Sequence, residues 1–356
     1  MNHRRNWIPV LIALIALPSV AAASRETWRE QSEFVRDAKG IQTIRVENAR
    51  GQTTVRASSD GRIHLLALKI ARAGSQREAR KLASTTLVEL DDRGGSFFVS
   101  VRYPNHAYKV NLWQDFSGVQ LPEDEVRLLI EVPAGRSVSL SASSGDLTSD
   151  GIDGPQELHT ASGDIALSEA AGRVTVHTAS GDVTGHAISF AKLESTSGDI
   201  ELEGPLGAIQ IGTTSGDVVV RDAGDSLRIG TVSGDVRVSR AARGLEVTTT
   251  SGGVDIAGAG GAVSATTLSG DLEVALTRDL RRAVLATHSG SLSVALDPTT
   301  AATLDLGTGS GDMEIDGPIQ QTRRTRHNVQ ANLRGGGVPI ELRSQSGDIS
   351  VTVGGK

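Results

Sequence analysis

One tripeptide, Ser-Gly-Asp, recurs along the chain at nearly constant spacing, and that period limits the fold more than any other feature of the sequence. Its serines, or those of close variants, stand at Ser144, Ser162, Ser180, Ser197, Ser215, Ser233, Ser251, Ser269, Ser289, Ser310 and Ser346, at intervals of 18, 18, 17, 18, 18, 18, 18, 20, 21 and 36 residues. A fixed period of this length marks an array in which each unit buries its apolar face against its neighbours. Aligned on the serine, the copies alternate with period two before the turn: Leu158, Thr160; Val176, Thr178; Ile211, Thr213; Ile229, Thr231; Val247, Thr249. A second alternation follows the turn, in Ile165 and Leu167, Ile200 and Leu202, Val218 and Val220, and Val236 and Val238. Period two is the strand period, so each unit supplies two short strands, with the threonines and marker serines expected on the inward face. A stretch rich in glycine and alanine, with Gly172, Gly207, Gly224, Gly244, Gly260 and Gly261, suits a second corner, where a left-handed backbone is often needed and excludes most side chains. The predicted fold is all-β, a parallel β-solenoid of about eighteen-residue coils over residues 138–354.

Composition agrees: 41 glycines and only 3% aromatics suit many corners around a core of small aliphatics. The 36 Lys and Arg residues face 42 Asp and Glu. The chain starts with basic His3, Arg4 and Arg5, an apolar run from Ile8 to Leu17, and small residues Ala21 to Ala23. That pattern predicts a signal peptide over residues 1–23, removed before Ser24, and the apolar run is far short of the ~20 residues a membrane span needs. Loss of Arg4 and Arg5 leaves 34 basic against 42 acidic residues, a mature net charge of -8. Such a balance argues against nucleic acid or anionic lipid as the main partner. With no cysteine there is neither a disulfide framework nor thiol chemistry.

Residues 24–137 lack the period. Strand-like runs at Thr43 to Val46, Thr53 to Arg56, Ile63 to Ile70, Phe97 to Arg102 and Val126 to Val132 surround a predicted helix from about Ser75 to Leu87. Ser75 and Glu78 form a capping box, and Ala79, Leu82 and Ala83 make one apolar stripe. This segment reads as an irregular N-terminal β-domain capping the array. At the other end an insertion over about 317–337 carries Arg323, Arg324, Arg326, His327 and Arg334 before a last regular copy, Ile340 to Val353. It is expected to fold as a hairpin or excursion at the C-terminal cap.

The strand Thr43-Ile44-Arg45-Val46-Glu47-Asn48, the Glu131-Val132-Pro133-Ala134-Gly135 lead, the recurring Thr-x-Ser-Gly-Asp and the closing Ile340 to Ile349 run resemble the bacterial putative-adhesin family of β-strand-repeat envelope proteins, a domain of unknown function. The resemblance spans almost the whole mature chain and implies a β-solenoid at the cell envelope with no established reaction. Gly253 and Ser291, where the pattern has Asp, and the basic insertion depart from it.

Several residue groups are candidates for function. The column Asp146, Asp164, Asp182, Asp199, Asp217, Asp235, Asp271 and Asp312 could hold cations or simply accept turn amides. His159, His177 and Glu194 share one outward position on successive copies; two imidazoles and a carboxylate suit zinc, while polar residues also suit a solvated face. Six of the nine mature aromatics cluster between Phe97 and Phe116. Most suit a domain core, but Tyr108 and Trp113, between Pro104 and Pro122, are expected to be exposed and able to stack on sugars. Arg323, Arg324 and Arg326 could meet phosphates or an acidic partner, or be a solvated loop. His-Glu-x-x-His, Gly-x-Ser-x-Gly and P-loop signatures are absent, and the regular copies contain a single aromatic, Phe190, where a sugar cleft of a polysaccharide-cleaving β-helix would need several. The sequence therefore points to a non-catalytic envelope protein without a cofactor. It is either an adhesin-like module binding glycan or protein or a self-associating scaffold.

Overall fold

The computed structural model describes residues 26–104, 123–204 and 206–354. Over these the chain is all-β, with 27 strands and one α-helix, and it divides into two compact units, residues 1–166 and 167–356. The expected signal segment, Tyr108 and Trp113 lie outside the described residues.

In the first unit the helix runs Gln76–Thr85, capped by the Ser75 hydroxyl, which accepts the Glu78 N–H at 3.3 Å. Its buried face, Ala79, Leu82 and Ala83, is the stripe expected from spacing, and Leu82 and Ala83 pack with Ala71 against Trp28. The Arg80 guanidinium lies 5.1 Å from the Trp28 ring centre. Antiparallel pairs, Glu26–Asp37 on Arg62–Ala73 and Arg62–Ala73 on Glu123–Val132, make the irregular part of the unit. Leu87–Arg93 and Ser96–Arg102 form a further antiparallel pair, and the other pairings of the unit are parallel. Thr43–Asn48 lies between Ser96–Arg102 and Ser137–Ser141, and Thr53–Ala57 between Glu123–Val132 and Leu147–Asp150. The corner at Gly51 is thus stacked among the repeats although no Ser-Gly-Asp marks it. A Cβ on Gly145 would sit 2.1 Å from the Gly51 carbonyl oxygen, so the two corners touch backbone to backbone.

A polar network fixes this end of the core. Asn48 donates to Thr53 Oγ1 and the Val126 carbonyl, the Tyr103 hydroxyl donates to Asn48 Oδ1 at 2.7 Å, and it accepts the Val126 N–H at 3.1 Å. Burial pushes the Tyr103 phenol above its usual range. Buried Asp124 accepts from Thr86 at 2.7 Å and pairs with Arg50 at 3.2 Å, so no charge in the network is left without a partner.

In the second unit the regular strands between Val183 and Ser289 pair in parallel with their counterparts one repeat on. Ile211 faces Ile229, Ile229 faces Val247 and Val247 faces Ala265, while Thr213, Thr231, Thr249 and Thr267 form a second column. The aliphatic columns are almost wholly buried, and this burial supplies the main stabilisation. The threonine column is buried as well, whereas the marker serines are exposed. The expected inward face therefore ends one step early, because the chain is already turning at the serine. Buried threonines of this column serve the corner instead, Thr267 excepted: Gly181 N–H donates to Thr178 Oγ1 at 3.0 Å, and the Thr213 and Thr231 hydroxyls donate to the Ser215 and Ser233 carbonyls at 3.0 and 3.2 Å.

Near the C-terminus spatial order departs from chain order. Strand Val338–Ser346 lies between Leu272–Ser289 and Ala302–Ser310, and Ile349–Val353 lies between Leu292–Leu296 and Met313–Asp316. The last copy in sequence is thus inserted between two earlier ones, in register, with Leu285, Leu342 and Leu306 in one column. The basic insertion makes this reversal: Ile319–Arg324 and Asn328–Leu333 form an antiparallel hairpin whose second strand pairs with Ala302–Gly307. Arg343 forks onto Asp305 at 3.0 and 3.2 Å, and Asn328 also donates to Asp305 at 2.9 Å, joining inserted copy, displaced copy and hairpin. That guanidinium holds the Asp305 carboxyl below the usual carboxylate range.

Candidate functional site

The Ser-Gly-Asp corner is built from backbone contacts that leave its aspartates little freedom. Gly198, Gly216, Gly234, Gly252 and Gly270 have φ between +125° and +149°, and a Cβ on any of them would fall 2.1–2.4 Å from the carbonyl oxygen of the glycine one repeat earlier. At this approach the next amide needs an acceptor, and the aspartate side chain of the adjacent repeat supplies it. Asp199 N–H donates to Asp182 Oδ1 at 2.9 Å, Asp217 N–H to Asp199 at 2.8 Å, Asp235 N–H to Asp217 at 2.9 Å and Gly253 N–H to Asp235 at 2.9 Å. The same bond joins Asp164 to Asp146 in the first unit, and Asp312 to Asp348 across the inserted copy. Arg237 approaches Asp217 and Asp235 at 3.6 and 3.1 Å, offsetting repulsion between stacked carboxylates. Of the two roles open for this column, acceptance of turn amides is the one its geometry performs.

The outward histidine positions are also engaged. His159 Nε2 lies 3.0 Å from Glu157 in the first unit, and His177 Nδ1 lies 2.9 Å from Glu194 in the second. Glu194 is shared with Lys192 Nζ at 2.5 Å; that ammonium, and then His177, lowers the Glu194 pKa. Gly212 and Gly230 continue the column without a ligand atom. Among the described residues no group of three or more His, Asp and Glu side chains is placed to hold a metal ion. On the hairpin Arg323, Arg324 and Arg326 are all exposed, and Arg324 donates to the Met313 carbonyl at 3.2 Å.

A feature the repeat alignment did not single out lies on the outer face of the second unit. Two repeat positions, seven and five residues before the marker serine, form parallel columns. The first runs Phe190, Ala208, Ser226, Gly244, Ala262, Arg282, and the second Lys192, Gln210, Arg228, Glu246, Ser264, Val284. Small side chains in the middle of the first column, between Phe190 and Arg282, leave a trough of about 950 Å³. Phe190 is 48% exposed although it is the one aromatic of the regular copies. The signal in the sequence was this bracketing of small residues by one ring and one arginine, which the alignment absorbs into the Gly- and Ala-rich second corner.

No curated protein matches the chain. Solved structures similar to it include a putative lipid binding protein from Parabacteroides distasonis, 13% identical over 92% of this chain and 97% of that one, with a TM-score of 0.31. A putative adhesin from the same species is 8% identical over 93% and 98%, with a TM-score of 0.31. A putative cell adhesion protein from Clostridium sporogenes is 8% identical over 92% and 100%, with a TM-score of 0.22. Residues 41–244 and 239–352, nearly all of the chain beyond the expected signal segment, match the Toastrack DUF4097 family, and the chain belongs to that family.

Proposed function

We propose that this protein is a non-catalytic, exported binding module of the cell envelope, built as a β-solenoid of about eighteen-residue coils. In this reading residues 1–23 are a cleaved signal peptide, 24–137 cap the coils, and 138–354 carry them with an insertion at about 317–337. The eighteen-residue strand registers support the coil, and the basic and apolar N-terminus supports export to the periplasm, the cell surface or the medium. The observation that carries the binding role is the trough of about 950 Å³, lined by both apolar and basic side chains, on a face where the regular strands would otherwise present an even surface. Its partner is an envelope glycan or protein. The corner aspartates are occupied with architecture and the threonine column is buried, which leaves outward side chains to make contacts.

Residues 24–356 incubated with separated glycan and protein fractions of isolated envelopes are expected to retain one component saturably and to sediment as a single species. Turnover of an envelope polysaccharide would contradict the non-catalytic reading. A self-associating scaffold is the second reading, favoured by the strand Ile319–Arg324, exposed along almost its whole length. Concentration-dependent filaments in sedimentation would select it.

A further inference from the structure

We propose that the trough binds a linear polysaccharide carrying carboxylates, laid along the stacking direction of the repeats. This assignment rests on the binding-module reading and gives it a site and a ligand class. The first argument is charge. The lining includes Arg173, Lys192, Arg228 and Arg282 against one carboxylate, Glu246, on a chain whose net charge is -6. Arg228 is neutralised by Glu246 at 2.7 Å and Lys192 by Glu194, whereas neither Arg173 nor Arg282 has a carboxylate partner among the described residues. A local positive field on an acidic protein concentrates anions there, and a guanidinium meets a carboxylate through two parallel hydrogen bonds.

The second argument is shape. From Phe190 to Arg282 the column crosses five strand spacings, roughly 24 Å, which suits an extended oligomer rather than a single sugar. The floor is Ala208, Ser226, Gly244 and Ala262, low enough to admit a ring, and Gln210 and Ser264 on the wall offer hydrogen bonds to hydroxyls. The half-exposed Phe190 ring closes one end with an apolar face of the kind a pyranose stacks on. The strands beneath are already paired on both sides, so their backbone offers no edge to an added peptide strand, which disfavours a protein ligand that binds by strand addition.

The test is calorimetric titration of residues 24–356 with three probes of matched length: an oligogalacturonate, a neutral cello-oligosaccharide and polyglutamate. Binding of the oligogalacturonate, weakening as salt rises, with the other two at least about tenfold weaker, is the expected result. In the double variant Arg173→Glu, Arg282→Glu, and separately in Ser226→Trp, which fills the floor, affinity for the oligogalacturonate is expected to fall about tenfold or more at unchanged thermal midpoint. Equal binding of the neutral sugar or of polyglutamate overturns the ligand class. Undiminished binding by both variants overturns the site, as does an absence of oligogalacturonate binding. Retention of another envelope component by the wild type would then leave the binding-module reading standing, and loss of all envelope retention would remove both.

Discussion

Gly216 and Gly212 stand four residues apart on the same copy, yet alanine at the two positions should have opposite effects. At Gly216 φ is +125°, and an added Cβ would lie 2.3 Å from the Gly198 carbonyl oxygen and 2.8 Å from its carbon. Both contacts are backbone, so no side chain can swing aside. Forcing a non-glycine residue into such a conformation costs about 1–3 kcal/mol. Moving the corner to relieve the overlap also weakens the Asp217 N–H to Asp199 bond of 2.8 Å, for a further ~1 kcal/mol. Gly216→Ala should therefore destabilise by about 2–4 kcal/mol. At Gly212 nothing lies within 4 Å of the added Cβ and the backbone is not left-handed, so alanine should be neutral or stabilise by about 0.5 kcal/mol through the unfolded chain. Urea unfolding of residues 24–356, followed by far-ultraviolet circular dichroism, measures both. Equal midpoints for Gly216→Ala and Gly212→Ala would refute the backbone-contact account of the corner.

The buried hydroxyls make a second pair. Thr178→Val removes the acceptor of the Gly181 N–H and should cost about 1–2 kcal/mol, whereas Thr267 Oγ1 is buried without a partner and Thr267→Val should be neutral or stabilising in the same unfolding assay. The Asp305–Arg343 pair is partly solvated, so Arg343→Ala should cost only about 1 kcal/mol near neutral pH. Because the pair lowers the Asp305 pKa, its stabilisation is present above the unfolded-state carboxylate pKa of ~3.9 and is lost as pH falls through the folded value. The difference between wild type and Arg343→Ala in thermal midpoint should accordingly shrink below about pH 4.

Much of this architecture is legible in the sequence because its corners are chemically exacting. Only glycine tolerates the approach at 2.1–2.4 Å, and only a short acceptor reaches the neighbouring amide, so Ser-Gly-Asp survives as a visible mark. The helix is legible for the same reason, through Ser75 and Glu78. The insertion of Val338–Val353 between earlier copies is not legible, since every copy presents the same columns and any two can stack in register; only the hairpin decides the order. The corner at Gly51 escapes notice because Asn48, Arg50 and Gly51 make it without the tripeptide. The exposure of the marker serines shows that a period-two pattern fails once the chain begins to turn. At the candidate site the alignment exposes single positions, whereas the trough depends on small residues flanked by large ones across six strands. Sequence spacing places Ala208 and Arg282 in one column, but only the stacked backbone turns their difference in size into a cavity.

The central claim is that the repeated aspartate is an architectural acceptor for the amide of the adjacent repeat. Hydrogen exchange at the Asp217 amide in Asp199→Ala tests it most directly, because the Asp199 carboxylate accepts that N–H at 2.8 Å. The account predicts exchange about tenfold faster at Asp217, with amides of more distant repeats unchanged, and no gain in wild-type protection on adding calcium. Unaltered exchange at Asp217 in the variant, together with calcium-dependent protection of the wild-type corners, would contradict it.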